Sequence, residues 1–297
     1  MRMHPDQLRI DADQVAALIA DQCPELAGQS VCPVLGGGTV NAIFRVGSAA
    51  AVRFPLREQE PAVVRAELTA EASAAREFAL ASPFLAPEPL LIGEPGHGYP
   101  LPWSVQTWLD GATPTPTSSS GSTELALDLA ALIGRLRGCD TRGRTFNGDN
   151  RGGRLPDHDG WVEECVHRTE GLFDTQWMKG FWASARTLPR DEPDAMCHTD
   201  LIPGNLLVTD GRLAGVLDTG GFQAADPALD LVCAWHLLDD GPREVLRRSL
   251  DCSELQWQRG RAWAFEQAAG AYWYYVDTNP TMAAMGRTTL ERLAASF

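Results

Sequence analysis

The chain holds one lysine, Lys179, no apolar run that approaches a membrane span, and no Cys-x-x-Cys pair. Each absence removes a class of protein. A spanning helix needs about 20 apolar residues in a row, so none is expected. The start, Met1-Arg2-Met3-His4-Pro5-Asp6, lacks the apolar stretch of a signal peptide. The seven cysteines, Cys23, Cys32, Cys139, Cys165, Cys197, Cys233 and Cys252, follow no pattern. An odd, scattered set reads as reduced, mostly buried thiols in a cytoplasmic protein, and a zinc site is a poor fit. No Gly-x-Ser-x-Gly turn is present to support a Ser-His-Asp hydrolase. Repeats, heptads and charged tails of the scaffold kind are missing too. The formal charge of −14 argues against nucleic acid, whose backbone such a surface repels. It suits a cationic partner, although acidic surfaces also simply keep proteins dissolved. At 297 residues the chain can bury one large core or, as expected here, two unequal lobes, as a monomer or weak dimer.

What is present is concentrated in one stretch. His198-Thr199-Asp200-Leu201-Ile202-Pro203-Gly204-Asn205 is followed by Val216-Leu217-Asp218-Thr219-Gly220. Leu206-Leu207-Val208 and Leu213 to Leu217 are apolar runs separated by Asp210-Gly211, a strong two-residue hairpin signal. Asn205 and Asp218 therefore stand at opposite ends of one hairpin. Asp and Asn are common in turns; three of them bracketing a hairpin favour a site. Phosphoryl transfer asks for in-line positioning, metal ions on the phosphates and a base to orient the nucleophile. Asp200 fits the base, with Asn205 and Asp218 offering hard oxygens to magnesium, which draws its remaining ligands from phosphate and water.

Along the chain, Asp11 to Cys23 has helical apolar spacing and ends at Pro24. β-like runs follow at Val31–Val34, Ala42–Val46 and Ala50–Phe54, with Gly36, Gly37 and Gly38 at the first turn. Glycines there let backbone amides approach a phosphate, or simply make a flexible hairpin. Pro61 to Ala81 reads as a long helix, and Tyr99 to Trp108 as an extended strand. The Thr-, Ser- and Pro-rich segment Ala112 to Ser122 reads as a linker. Helices dominate beyond Thr123, and Trp257, Trp263, Phe265, Tyr272, Trp273 and Tyr274 mark a long terminal one as core. Asp157, Asp159, Asp239, Asp240 and Glu266 are acidic candidates for contact with substrate ammonium groups, though acidic clusters are commonly solvated faces.

The pattern H-x-D-x-x-x-x-N with a later hydrophobic-Asp resembles the catalytic and metal-binding loops of the aminoglycoside phosphotransferase family. Asp226-Pro227-Ala228-Leu229-Asp230-Leu231, Leu35 to Asn41, Trp103 to Gly111 and Thr278-Asn279-Pro280 extend the likeness almost end to end. The polar loop Phe146 to Arg154 resembles an R-G-G segment of one branch, bordering the acceptor site. The resemblance implies an α+β, two-lobed protein-kinase-like fold. A small β-rich lobe would span residues 1–108, a hinge and linker 109–122, and a helical lobe 123–297. It implies transfer of the γ-phosphoryl of ATP or GTP, with Mg2+, to a hydroxyl of a small, cationic acceptor, with an aminoglycoside first. A macrolide or a metabolic sugar or amino alcohol is the alternative, as is a nucleotide-binding pseudokinase. Arg53 would take the place of the phosphate-contacting lysine, paired by Glu71, beneath Gly36 to Gly38; Trp108 and Leu109 would border the purine. His198, Asp226 and Asp230 take structural roles. Three departures stand out: Thr199 replaces the glycine of H-G-D, Thr219-Gly220 follows Asp218 where an aromatic is common, and Arg53 replaces lysine, from which it differs in reach and shape.

Overall fold

The computed structural model describes residues 8–34, 40–148 and 150–295; Gly36, Gly37 and Gly38, read above as a phosphate cover, lie outside them. The chain divides into two compact units: Met1–Leu80 with Leu85–Asp110 and Asp218–Gly220, and Ala81–Phe84 with Gly111–Leu217 and Gly221–Phe297.

The smaller unit is a five-stranded antiparallel sheet in the order β1-β2-β3-β5-β4. Its strands are β1 (Val31–Pro33), β2 (Asn41–Val46), β3 (Ala50–Pro55), β4 (Pro89–Gly93) and β5 (Trp103–Thr107). Helix α1 (Ala12–Gln22) starts where Asp11 accepts from the Gln14 amide while the Gln14 side chain accepts from the Asp11 amide. That reciprocal cap satisfies donors the first turn leaves open. Aromatic packing fills the core: Phe54 stacks on Trp103 at 5.3 Å and meets Tyr99 edge-on at 5.0 Å. Helix α2 (Pro61–Ala81) buries Val64, Leu68, Ala72, Ala75 and Phe78, one stripe at helical spacing.

The larger unit is built on α8 (Glu254–Tyr274), whose middle is buried on every side. Its remaining helices are α3 (Thr123–Arg137), α4 (Asp159–Arg168), α5 (Thr175–Ala185), α6 (Val232–Leu237), α7 (Asp240–Ser249) and α9 (Pro280–Ala295). Helix α9 crosses α8 at Gly286, where a Cβ would lie 2.6 Å from the Tyr272 amide nitrogen. Two small antiparallel pairs complete it: β6 (Ala195–Cys197) with β9 (Gln223–Ala225), and the hairpin β7 (Leu206–Thr209) with β8 (Arg212–Val216). Asp210 (φ 52°) and Gly211 (φ 77°) turn that hairpin with both central residues left-handed, the conformation a two-residue loop requires. Asp239 is the cap residue of α7 and Asp240 its first residue.

Candidate active site

In the larger unit, the segment after β6 is held by a buried carboxylate. Asp230 accepts the backbone amides of His198 at 2.8 Å and Thr199 at 2.9 Å. Burial raises its pKa, and His198 together with those two amides works against the rise. The His198 ring is fully buried and has both nitrogens engaged. Nε2 donates to the Leu217 carbonyl at 2.9 Å, and Nδ1 accepts the Asp200 amide at 3.3 Å. A histidine so engaged holds the loop and is not free to act as a base. Asp226 accepts Arg259 Nε at 3.0 Å and Trp263 Nε1 at 2.8 Å, tying the segment to α8. Thr199 has φ 75°, a left-handed conformation that glycine adopts without cost. That is the physical reason for glycine at this place in the family pattern.

Asp200 is thereby presented with three side-chain donors around its carboxylate. Asn205 Nδ2 donates to its Oδ2 at 3.0 Å and to its backbone carbonyl at 2.9 Å. Gln267 Nε2 reaches Oδ1 at 2.6 Å, and Arg151 Nη2 reaches the same oxygen at 3.1 Å. With the Asn205 nitrogen engaged, its side-chain oxygen remains for another partner. The Leu217 amide donates to the Asn205 carbonyl at 2.8 Å, so the residue before Asp218 is fastened to Asn205.

Gln267 is itself held from behind. The fully buried His236 donates from Nε2 to Gln267 Oε1 at 3.0 Å and accepts the Thr289 hydroxyl at Nδ1, 2.9 Å away. This orientation follows from the Gln267 nitrogen facing a carboxylate, which can only accept. Burial lowers the His236 pKa to about 4, so the ring is neutral near pH 7. Gln267, His236 and Arg151 had no assigned role in the sequence reading. Arg151 had a signal, the polar loop Phe146 to Arg154; for His236 and Gln267 there was none.

In the smaller unit, Arg53 Nη2 lies 2.9 Å from Asp218 Oδ1. Glu71 belongs to the same group: burial raises its pKa, Arg53 opposes the rise and Asp218 adds to it. A Cβ on Gly220 would sit 2.9 Å from that of Glu71, so glycine there lets α2 approach the segment bearing Asp218. Trp108 gives its amide to the Ala49 carbonyl at 2.8 Å, and Arg45 stacks 4.7 Å over its ring. Trp108 thus has no backbone N–H left for a purine edge. Leu109 is half-buried beside it.

The five acidic substrate candidates are dispersed. Asp159 is bonded by Arg186 and Trp182, and the Arg186 guanidinium holds its carboxyl below the usual range. Asp239 pairs with Arg292 at 2.9 Å, Asp240 with Arg243 at 3.3 Å, and Asp157 stands 3.9 Å from Arg154. Glu266 shares Arg151 with Asp200, at 3.8 Å from the guanidinium. It is buried and accepts from His158 Nδ1 at 2.9 Å.

Among solved structures, the aminoglycoside 2'-phosphotransferase-IIIa in its GDP complex is 19% identical. The match covers 97% of this chain and all of that one, with a TM-score of 0.72. A macrolide 2'-phosphotransferase from Brachybacterium faecium is 17% identical over 92% of this chain and 97% of its own, at 0.63. The ternary complex of an APH(2")-IIa with streptomycin and ATP is 14% identical over 97% of both chains, at 0.62. No curated protein sequence matches. The sequence profile of the phosphotransferase enzyme family matches residues 31–263. With most of its length inside that match, the chain belongs to the phosphotransferase enzyme family and carries the protein-kinase-like fold of its aminoglycoside phosphotransferases.

Proposed function

We propose that the protein transfers the γ-phosphoryl group of ATP or GTP to a hydroxyl of a small molecule, with Asp200 as the base. The observation that carries this reading is the pairing of Asp200 with Asn205 at 3.0 Å. It sets a carboxylate beside an amide whose oxygen is left for a hard cation. Asn205 and Asp218 fit magnesium, since both offer oxygen and the ion takes its other ligands from phosphate and water. When bound, magnesium would neutralise charge on the β- and γ-phosphates.

Asp200 orients the acceptor hydroxyl and takes its proton. The hydroxyl oxygen bonds to the γ-phosphorus as the bond from that phosphorus to the β,γ-bridging oxygen breaks. The electron pair leaves with the nucleoside diphosphate. Arg53, which the structure pairs with Asp218, would turn its fork to phosphate oxygens, with the Glu71 carboxylate acting on it electrostatically and Leu109 at the purine. For the acceptor, solved relatives are named for aminoglycosides and macrolides, and the charge of −14 favours the approach of a polycation.

The test is Asp200→Ala. Removing a general base costs about 100-fold or more in turnover, while a nucleotide thermal shift persists. Wild-type rates in this variant would remove the assignment. The second reading, a nucleotide-binding module without turnover, draws on the 2.9 Å pair of Arg53 with Asp218, which holds one carboxylate oxygen away from a metal. Nucleotide binding with no ADP release over an antibiotic and sugar panel would favour it.

A further inference from the structure

We infer that the acceptor carries an oxyanion, a carboxylate or a phosphate, close to the hydroxyl that is phosphorylated, and that Arg151 binds it. The inference rests on the phosphoryl-transfer reading and narrows its substrate. An ammonium group at this place would look for carboxylates, and the structure offers Asp200 and Glu266. The protein's own cation already stands between the two. Arg151 Nη2 is 3.1 Å from Asp200 Oδ1, and Nη1 is 3.8 Å from Glu266 Oε2. Glu266 is also bonded to His158 and has a side chain only 3% exposed. A polycation would have to expel a guanidinium from between two acids to gain the same contacts.

The position of Arg151 is built into the backbone. The next residue, Gly152, gives its carbonyl to the Asp226 amide at 2.8 Å. Gly152 has φ 122°, and a Cβ on it would lie 2.9 Å from that of Ala225. The Phe146 ring packs against Gly152 and Gly153, and the Phe146 amide donates to Asp194 at 2.7 Å. The loop is therefore moored to β9 and to the Asp226 segment, and it aims one cation at the base.

That cation is incompletely matched. Arg151 Nε is buried and has no hydrogen-bond partner among the described residues, and neither has Glu266 Oε2. A guanidinium presents donors in a planar fork that matches a carboxylate or phosphate in two parallel bonds. An oxyanion on the acceptor would complete that fork and draw Arg151 off Asp200. The base is then released only when such an acceptor is present, and one lacking an anion leaves the guanidinium on the carboxylate. The net charge governs long-range approach and is screened over about 8 Å in physiological salt. Arg151 acts at contact distance and decides what docks.

The test uses the full-length protein with Mg2+ and saturating ADP. Glycerate and glycerol 3-phosphate are the anionic probes, glycerol is the neutral isostere, and ethanolamine and kanamycin are the cations. Binding is read by calorimetry and turnover by ADP release with ATP or GTP. At least one anion should bind 10-fold or more tighter than glycerol, and the preferred one tells carboxylate from phosphate. Arg151→Met should abolish that margin, Arg151→Lys should keep part of it, and Asp200→Asn, which removes the competing carboxylate, should widen it. Equal anion binding by Arg151→Met and wild type overturns the inference. So does a wild-type preference for ethanolamine or kanamycin over both anions, or the lack of any margin over glycerol. Should the margin stand while no acceptor yields ADP, the anion site holds and the phosphotransfer reading alone fails.

Discussion

His236 shows how far the support of a single side chain extends. Its ring is wholly buried and, among the described residues, bonds to Thr289 and Gln267, the second of which reaches Asp200. Its folded pKa of about 4 lies below the reference value of 6.5. Protonation therefore favours the unfolded chain. The stability that neutral His236 contributes is fully present above about pH 6.5 and is lost as pH falls towards 4. A gap of that size corresponds to about 3 kcal/mol. Denaturant titrations of wild type and His236→Asn between pH 7 and pH 4.5 should diverge in slope, with the variant less sensitive to acid. Parallel curves would show that the ring does not carry the effect. The same residues mark where sequence reading stops. Gln267 is 67 positions from Asp200, and Arg151 is 49. No local pattern announces a hydrogen bond between side chains brought together only by the fold.

At the scale of elements, local chemistry was readable. Asp210-Gly211 between apolar runs foretold the β7–β8 hairpin, because few residues tolerate two consecutive left-handed conformations. Helix α2 was legible over Pro61 to Ala81 from its alanine-rich composition. The roles of Asp239 and Asp240 were not, since an acidic pair can close one helix or open the next, and which it does depends on packing. The α8–α9 crossing is a tertiary fact of this kind. Gly286→Ala would press a methyl group to within 2.6 Å of the Tyr272 amide and 2.8 Å of the Ala268 carbonyl. Both are helix backbone and cannot rotate away, so a loss of about 1–3 kcal/mol is expected. Gly241→Ala in α7 is the control, because a Cβ there meets nothing within 4 Å. A melting temperature for Gly286→Ala equal to that of the control would show that the two helices yield more easily than their spacing implies.

For the whole molecule, the chain passes between two units of unequal size after Leu80, Phe84, Asp110, Leu217 and Gly220. No helix among the described residues is long and apolar enough to cross a membrane. If Asp218 and Asn205 hold magnesium on the nucleotide, stabilisation by a non-hydrolysable triphosphate should depend on the metal. At 100 times its dissociation constant such a ligand adds about 2.7 kcal/mol. Chelation with EDTA should cancel most of the thermal shift, and Asp218→Asn should reduce the metal-dependent part. A shift indifferent to EDTA would take the metal away from these residues.

Arg259, Trp263, Glu266 and Gln267 all project from the single helix α8 onto the active-site segments. Each residue advances an α-helix by about 100°. One codon inserted between Trp263 and Glu266 would swing the downstream pair a quarter-turn away from Asp200 while leaving the Asp226 clamp in place. Insertions and deletions in this stretch of α8 are therefore excluded, and descendants of this gene can change it only by substitution.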